Sequence, residues 1–377
     1  MYKLLYPFTL VLAVLLYEGC RKPYLPEAIA EAPSILVVEG MINGNAGGVT
    51  RVELTRSVRL SDENETAPET AAQVSIEEEN GGRHMLMQVQ AGVYESLPLT
   101  LAQGKKYRLQ IRTGDGTEYL SEYVPMLHSP EIDSISYAIE ENDLVVMANT
   151  HDPDNNTRYY RWSYGETWEY HGPYLGHLEY RNGQVVMRPL NEFQQICYSS
   201  QPSASILLGS STKLSEDVIK AAELTIIPRD DVKLSVRYSM LVRQQALTKE
   251  AYEFWQILKK TSEQQGGLFD MQPAELPSNF TCVTRPEEPV IGYLTASTFS
   301  EKRVFITRAQ ALGTFVYRQL CDEKVIPQIQ DSIDFYLRPP TSFAPAYFIT
   351  GGGLAIAQSS CVNCTELGGT NVKPDFW

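Results

Sequence analysis

Six cysteines carry most of the chemistry available to this 377-residue chain, and their neighbours assign them different work. Cys20 follows Gly19 at the end of an N-terminal segment with one basic residue, Lys3, and an apolar stretch over 4–16. That stretch is shorter than the roughly 20 apolar residues a membrane span needs, so 1–19 reads as a cleaved export signal. A small residue directly before a cysteine is what a lipoprotein signal peptidase cuts. Cys20 is therefore expected to carry lipid on sulfur and usually a further acyl chain on its freed amine, which together give a stable anchor. Tyr17 and Glu18 depart from the usual signal pattern, and an ordinary secretory signal or a buried N-terminal strand is the alternative. Cys197, Cys282, Cys321, Cys361 and Cys364 would then face an oxidising envelope. Up to two disulfides are expected there, with one thiol left over and the pairing open. Cys361-Val-Asn-Cys364 also has the spacing of half a zinc site or a redox pair. No second C-x-x-C, no H-x-H and no βαβ pattern accompanies it, so a structural disulfide role is expected.

Other groupings are weaker. Asp152, Asp154 and Asn156 alternate as oxygen ligands of a calcium loop do, but Thr157 stands where such a loop needs glycine and Ser163 where it needs a bidentate Glu. An Asx/Pro turn joining two strands is the favoured reading of the segment, and no metal is expected. Ser210-Ser-Thr-Lys213 matches S-x-x-K without its K-T-G partner, which favours a polar turn over a nucleophile. The five histidines are dispersed, with His171 and His177 in a Gly/Tyr-rich stretch that reads as loop. Zinc-protease, phosphate-loop, dinucleotide and nucleophile-elbow motifs are absent, and no cofactor is expected. Trp162, Trp168, Tyr170, Tyr174 and Tyr180 crowd a segment rich in glycine. Exposed, they would form a stacking surface for sugars or a protein partner; buried, they would be core and edge packing.

These residues need a frame, and the chain is long and apolar enough to supply one. It is 43% hydrophobic and 10% aromatic, enough for two or three domains. A net charge of −14 and a pI near 4.9 argue against a phosphate-tracking surface, so nucleic acid is not an expected partner. Short apolar runs over 35–38, 49–54, 73–77, 92–97, 107–111 and 118–124, spaced by Gly, Asn and Pro, have the rhythm of a β-sandwich. Thr113-Gly-Asp-Gly-Thr117 predicts a hairpin with a primed turn. A boundary at His128-Ser-Pro130 precedes further predicted strands over 132–139, 144–148, 158–164, 206–208, 224–228, 233–244, 290–294 and 302–306. Thr248 is a predicted N-cap for an amphipathic helix over 248–265, with Ala251, Tyr252, Trp255 and Leu258 on one face and Gly266-Gly267 beyond it. A shorter helix is predicted from Ser215 to Ala222. The expected class is thus mainly β. It comprises a signal (1–19), a lipid-anchored tether (20–33) and two consecutive sandwich domains of immunoglobulin or carboxypeptidase-regulatory type (34–128 and 129–345). The second contains the inserted helix, and an irregular, disulfide-pinned C-terminal tail (346–377) follows.

Several segments, taken in order, resemble one family of envelope lipoproteins, known as domain of unknown function 4249. They are the lipoprotein start, Leu36-Val-Val-Glu-Gly40, Tyr159-Tyr-Arg-Trp162, Cys197-Tyr198, the run Ala246-Leu-Thr-Lys-Glu-Ala-Tyr-Glu-Phe-Trp255, Gly267-Leu-Phe-Asp270, Pro286-Glu-Glu288, Val290-Ile-Gly-Tyr293, Cys361-x-x-Cys364, Gly368-Gly369 and Lys373-Pro-Asp-Phe-Trp377. The resemblance implies a Bacteroidota-type outer-membrane lipoprotein, often encoded beside a TonB-dependent transporter of the starch-utilisation type, and brings no catalytic residues. Arg21-Lys-Pro-Tyr24 lacks the acidic run that commonly sends such lipoproteins to the cell surface, which leaves the periplasmic and outer faces both open. The function expected is that of a non-enzymatic accessory or ligand-capture partner of the transporter. The alternatives are an envelope hydrolase acting on glycan or peptide, and a structural or adhesive lipoprotein.

Overall fold

Alternating apolar and polar side chains drive most of this chain into strands. Tyr107, Leu109 and Ile111 of Lys106–Arg112, for example, are fully buried while Arg108, Gln110 and Arg112 face outward. The computed structural model describes residues 34–58, 67–263, 276–311 and 319–377. Cys20, the expected signal and tether, and Gly266-Gly267 lie outside these residues.

The chain is mainly β, with several sheets. A 13-stranded sheet holds the N-terminal strands, including Leu36–Gly40, Arg51–Arg56, Gln73–Glu78, Arg83–Gln90, Lys106–Arg112 and Val124–Leu127. Its core contains Leu36, Leu54, Ile76, Tyr94, Leu109 and Tyr119. Chain order and sheet order part company after the helix. Phe280–Cys282 pairs with Glu118–Ser121, Val290–Ile291 runs parallel to Leu36–Gly40, and Ala296–Ser297 runs parallel to both Ile42–Asn43 and Val124–Leu127. Gly292 makes this return possible. At φ +140° it lies so close to the first strand that a Cβ would sit 2.3 Å from the Val38 carbonyl oxygen.

A second core lies between a three-stranded sheet (Ile132–Glu140, Asp143–His151, Val218–Ile227) and a five-stranded one built on Tyr159–His171 and Arg237–Ala246. Trp162, Tyr160, Tyr238 and Met240 fill it from one side, Leu144, Val146 and Ala148 from the other. The predicted helix is present as Lys249–Glu263, with the Thr248 hydroxyl accepting from the Ala251 amide at 3.2 Å.

Four local expectations are corrected. Residues 218–222 belong to strand Val218–Ile227, since Val218, Ile219 and the β-branched run behind them pair with Asp143–His151, and Ala221 takes φ +52° at the irregularity. The hairpin at Thr113–Thr117 closes with only Gly116 left-handed, at φ +87°, so the loop is a longer one with a glycine bulge and not a two-residue primed turn. The strand Tyr159–His171 runs through the expected glycine-rich loop as far as His171. The C-terminal stretch is not irregular from 346 onward. Phe343–Ile349 and Gly353–Gln358 form a hairpin turned at Gly351 and Gly352, and Glu323–Pro327 adds a third strand. Strand Arg83–Gln90 was not foreseen, because Met85, Met87 and Val89 lie on its exposed side and mask the alternation.

Candidate functional site

The five aromatic residues proposed as a stacking surface are spent on packing. Trp162 is 2% exposed and donates its indole N–H to Gln244 Oε1 at 2.8 Å; Gln244 in turn donates to the Pro130 carbonyl and to Thr150. Trp168 and Tyr170 are buried, Tyr170 donating to the Cys364 carbonyl at 2.8 Å. Half-buried Tyr174 donates to Glu323 and half-buried Tyr180 to Asp334, at 2.5 and 2.6 Å. Strand Tyr159–His171, flanked by Ile196–Pro202 and Leu207–Ser210 on one side and Arg237–Ala246 on the other, turns Trp162, Trp168 and Tyr170 inward, so for these three the packing alternative holds; Tyr174 and Tyr180 lie beyond the strand and are half-buried.

The cysteines resolve into Cys197–Cys364 and Cys321–Cys361, with Cys282 free and buried in the N-terminal core. Cys361 and Cys364 thus belong to different bridges. Asp152 turns its carboxylate back onto its own loop, accepting from the amides of Asp154, Asn156 and Thr157 at 2.8–3.0 Å, as an Asx turn does. No group of His, Cys, Asp and Glu suited to a metal occurs among the described residues. Ser210 shares a hydrogen bond with Thr212, and Ser211 donates to buried Asp217. His171 pairs with Glu169, and His151 with Asp133.

A cleft of about 1060 Å³ opens where the N-terminal sheet meets the helix and the sheet beneath it. One wall is the outward face of the N-terminal sheet, with Val37, Glu39, Arg51 and Glu53. Leu36 and Val38 point into the core, so their alternates Val37 and Glu39 must point out; the same logic places Arg51 and Glu53 opposite Val52 and Leu54. Glu39 and Glu53 are register partners on adjacent antiparallel strands, exposed, and joined to no cation among the described residues. Like charges directly opposed across strands repel, so the pair costs stability unless a cation joins it.

The facing wall comes from Tyr159–His171 and the helix. Trp162 points into the core, so Arg161 points to the other face, where Trp255 covers it with the guanidinium carbon 3.7 Å from the ring centroid. Arg161 Nε and Trp255 Nε1 are both buried donors without a partner among the described residues. Loss of water pulls the Arg161 pKa down to about 10, with the charge of Glu39 acting in the opposite direction. It remains a cation at neutral pH. The other cleft arginines are neutralised, Arg51 by Glu95 at 2.9 Å and Arg243 by Glu301 at 2.5 Å. Apolar surface completes the cleft through Ile206, Phe254, Leu258 and Tyr293, with Phe254 and Tyr293 rings 5.3 Å apart. Arg161 is the only Lys or Arg of strand Tyr159–His171 and belongs to the Tyr159-Tyr-Arg-Trp162 run, but no spacing rule singles it out.

Among solved structures, the chain is similar to a DUF4785 family protein from Legionella pneumophila subsp. pneumophila. Identity is 9%, coverage 55% of this chain and 52% of that one, and the TM-score 0.19. It is also similar to the adhesin InvE of Yersinia pseudotuberculosis at 13% identity, 56% and 55% coverage and TM-score 0.15. The chain thus spans about half the length of each, and likenesses this slight support no inference about fold or function. No curated protein matches it. The family described as domain of unknown function (DUF4249) matches residues 21–303, about three quarters of the sequence, and segments bearing the resemblance, Leu36–Gly40, Tyr159–Trp162, Ala246–Trp255 and Val290–Tyr293, contribute to both walls of the cleft; the chain belongs to the DUF4249 family.

Proposed function

We propose that this protein is a non-enzymatic lipoprotein of the outer membrane, anchored through Cys20, that captures a ligand for a TonB-dependent transporter. In this reading two sandwich-like units hold the walls of the cleft, and the ligand lies between them. The observation that carries it is the cleft itself: a desolvated, unpaired arginine on an indole, apolar surface beside it, and unneutralised carboxylates opposite. Binding sites are concave and mostly apolar, with a few polar groups left for the ligand. A hydrolase would need nucleophile, base and oxyanion donors converging on one point. Here Ser210, Ser211, His151 and His171 are engaged outside the cleft, and among the described residues neither a serine nor a histidine lines it, which favours capture over hydrolysis. No described helix is long and apolar enough to cross a membrane, and in this reading attachment falls to the lipid.

The test is an affinity pull-down of the tagged protein from detergent-solubilised outer membranes, with mass spectrometry of what accompanies it. A stoichiometric TonB-dependent transporter is the expected result. Recovery of the protein alone, at a loading where the anchor is intact, refutes the partnership.

A further inference from the structure

We infer that the ligand of this cleft is a short peptide bearing both a free α-amine and a free α-carboxylate, held by its charges between Arg161 on one wall and the Glu39–Glu53 pair on the other. The inference rests on the capture reading and adds the ligand class.

Charge is the first constraint on the ligand. Three acids and three bases have been placed in the cleft, and two of the bases and one of the acids are already neutralised: Arg51 by Glu95, outside the cleft, and Arg243 by Glu301, within it. What remains is one cation, Arg161, and two anions, Glu39 and Glu53, none of them in an ion pair among the described residues. Arg161 is desolvated and held only by the indole face of Trp255 and the field of Glu39, and the exposed carboxylates of Glu39 and Glu53 repel across their strands, so each pole gains from a partner of opposite charge. A ligand that relieves both must carry an anion at one end and a cation at the other.

Chemistry narrows the class further. A guanidinium is a planar fork that matches a carboxylate bidentately, whereas a primary ammonium can donate to two carboxylates at once. A phosphate dianion at Arg161 would meet the repulsion of Glu39 and Glu53 in the same cleft. A neutral sugar would leave all three charges unmet. Between the poles, Ile206, Phe254, Leu258 and Trp255 offer apolar surface to side chains. The buried Trp255 Nε1, also without a partner, supplies a donor for a carbonyl of the ligand or for its carboxylate. A volume of about 1060 Å³ is generous for one amino acid, which favours a peptide of a few residues over a free amino acid.

The experiment is isothermal titration of the full, purified chain with the tripeptide Leu-Gly-Leu, its N-acetyl form, its C-terminal amide and the doubly capped form, with leucine and inorganic phosphate as separate arms. The tripeptide is expected to bind, and each cap to weaken it by about tenfold or more, since each cap leaves a charged partner unmet. Arg161→Met keeps an apolar stem under Trp255 and removes the charge. It should abolish the difference between acid and amide while preserving the penalty for N-acetylation. Glu39→Gln with Glu53→Gln should do the reverse. Both variants are expected to keep a single cooperative urea transition, which separates lost binding from lost folding. If the doubly capped peptide binds as tightly as the free one, or if no peptide binds, the zwitterion assignment is overturned. Leucine or phosphate binding more tightly than the tripeptide overturns it as well. The transporter pull-down reads the capture role independently, so a co-purifying transporter with no peptide binding sinks the ligand class and leaves the partnership standing.

Discussion

Glu166 sits in the second core only because three donors surround it. Its carboxylate is nearly inaccessible and accepts from Tyr238 at 2.6 Å, Gln201 at 2.7 Å and Lys233 at 2.8 Å, with the Lys233 ammonium 5.3 Å from the Trp168 ring centroid. Burial beside this carboxylate pushes the Tyr238 hydroxyl far above its usual pKa. Removing one member of such a cluster strands the others. Glu166→Ala is expected to cost about 3–5 kcal/mol by urea unfolding, and Glu166→Gln less, since an amide oxygen still accepts. An unchanged midpoint for the alanine variant would show that the cluster contributes nothing. Asp115 makes a different prediction. The Thr113 hydroxyl, then the Thr117 amide, hold its carboxyl down to about 2. Its folded pKa is depressed, so its contribution is complete above the ordinary value near 3.9 and is lost as pH falls through about 2. The gap in urea midpoint between the protein and Asp115→Ala should therefore persist at pH 5 and narrow toward pH 2; a gap independent of pH would contradict this.

At the level of elements, the C-terminal segment is tied down by covalent and aromatic contacts. Cys364 bridges to the edge strand Ile196–Pro202, Tyr198 exchanges both backbone hydrogen bonds with Thr370, and Trp377 donates to Glu169 at 2.9 Å. Arg237 lies over the rings of Phe305 and Trp377, so the last residue of the chain closes the outer face of the central sheet. The segment also covers an edge that would otherwise present unpaired backbone groups. Cys197–Cys364 spans 167 residues and Cys321–Cys361 spans 40. Loop entropy makes the first the costlier to lose, about 5 against about 4 kcal/mol for paired Cys→Ser changes measured without reductant. Equal losses, or none, would argue against that entropic account. Replacing Cys361 and Cys364 together breaks both bridges and should be the most damaging pair.

For the whole molecule, the cleft exists because residues 280–297 return to the N-terminal sheet after the helix has been laid across Tyr159–His171. Glu39 and Arg161 are 122 positions apart in the sequence and reach one cavity only through that crossing. Cys20 acts at the same scale. Cys20→Ala is expected to move the protein from the membrane pellet to the soluble fraction, because the remaining chain offers an acidic surface with no electrostatic affinity for anionic lipid. Persistent pelleting of this variant would overturn the lipid anchor.

The β character of the chain, the amphipathic helix with its Thr248 cap, and family membership were all legible in the sequence, because period, capping residues and motif order are local properties. Pairing of five cysteines is not local, nor are the short strands Phe280–Cys282 and Ala296–Ser297, which carry too few side chains to show a period; the strand expected over 290–294 is present as Val290–Ile291. The aromatic segment shows the limit most clearly. Composition cannot distinguish a ring that packs from a ring that waits for a ligand, and only the neighbours supplied by Gln244, Cys364, Glu323 and Asp334 decided it. Arg161 is the converse case: in sequence one member of a Tyr-Tyr-Arg-Trp run with no role attached, and in the fold a cation under Trp255 whose Nε lacks a partner among the described residues.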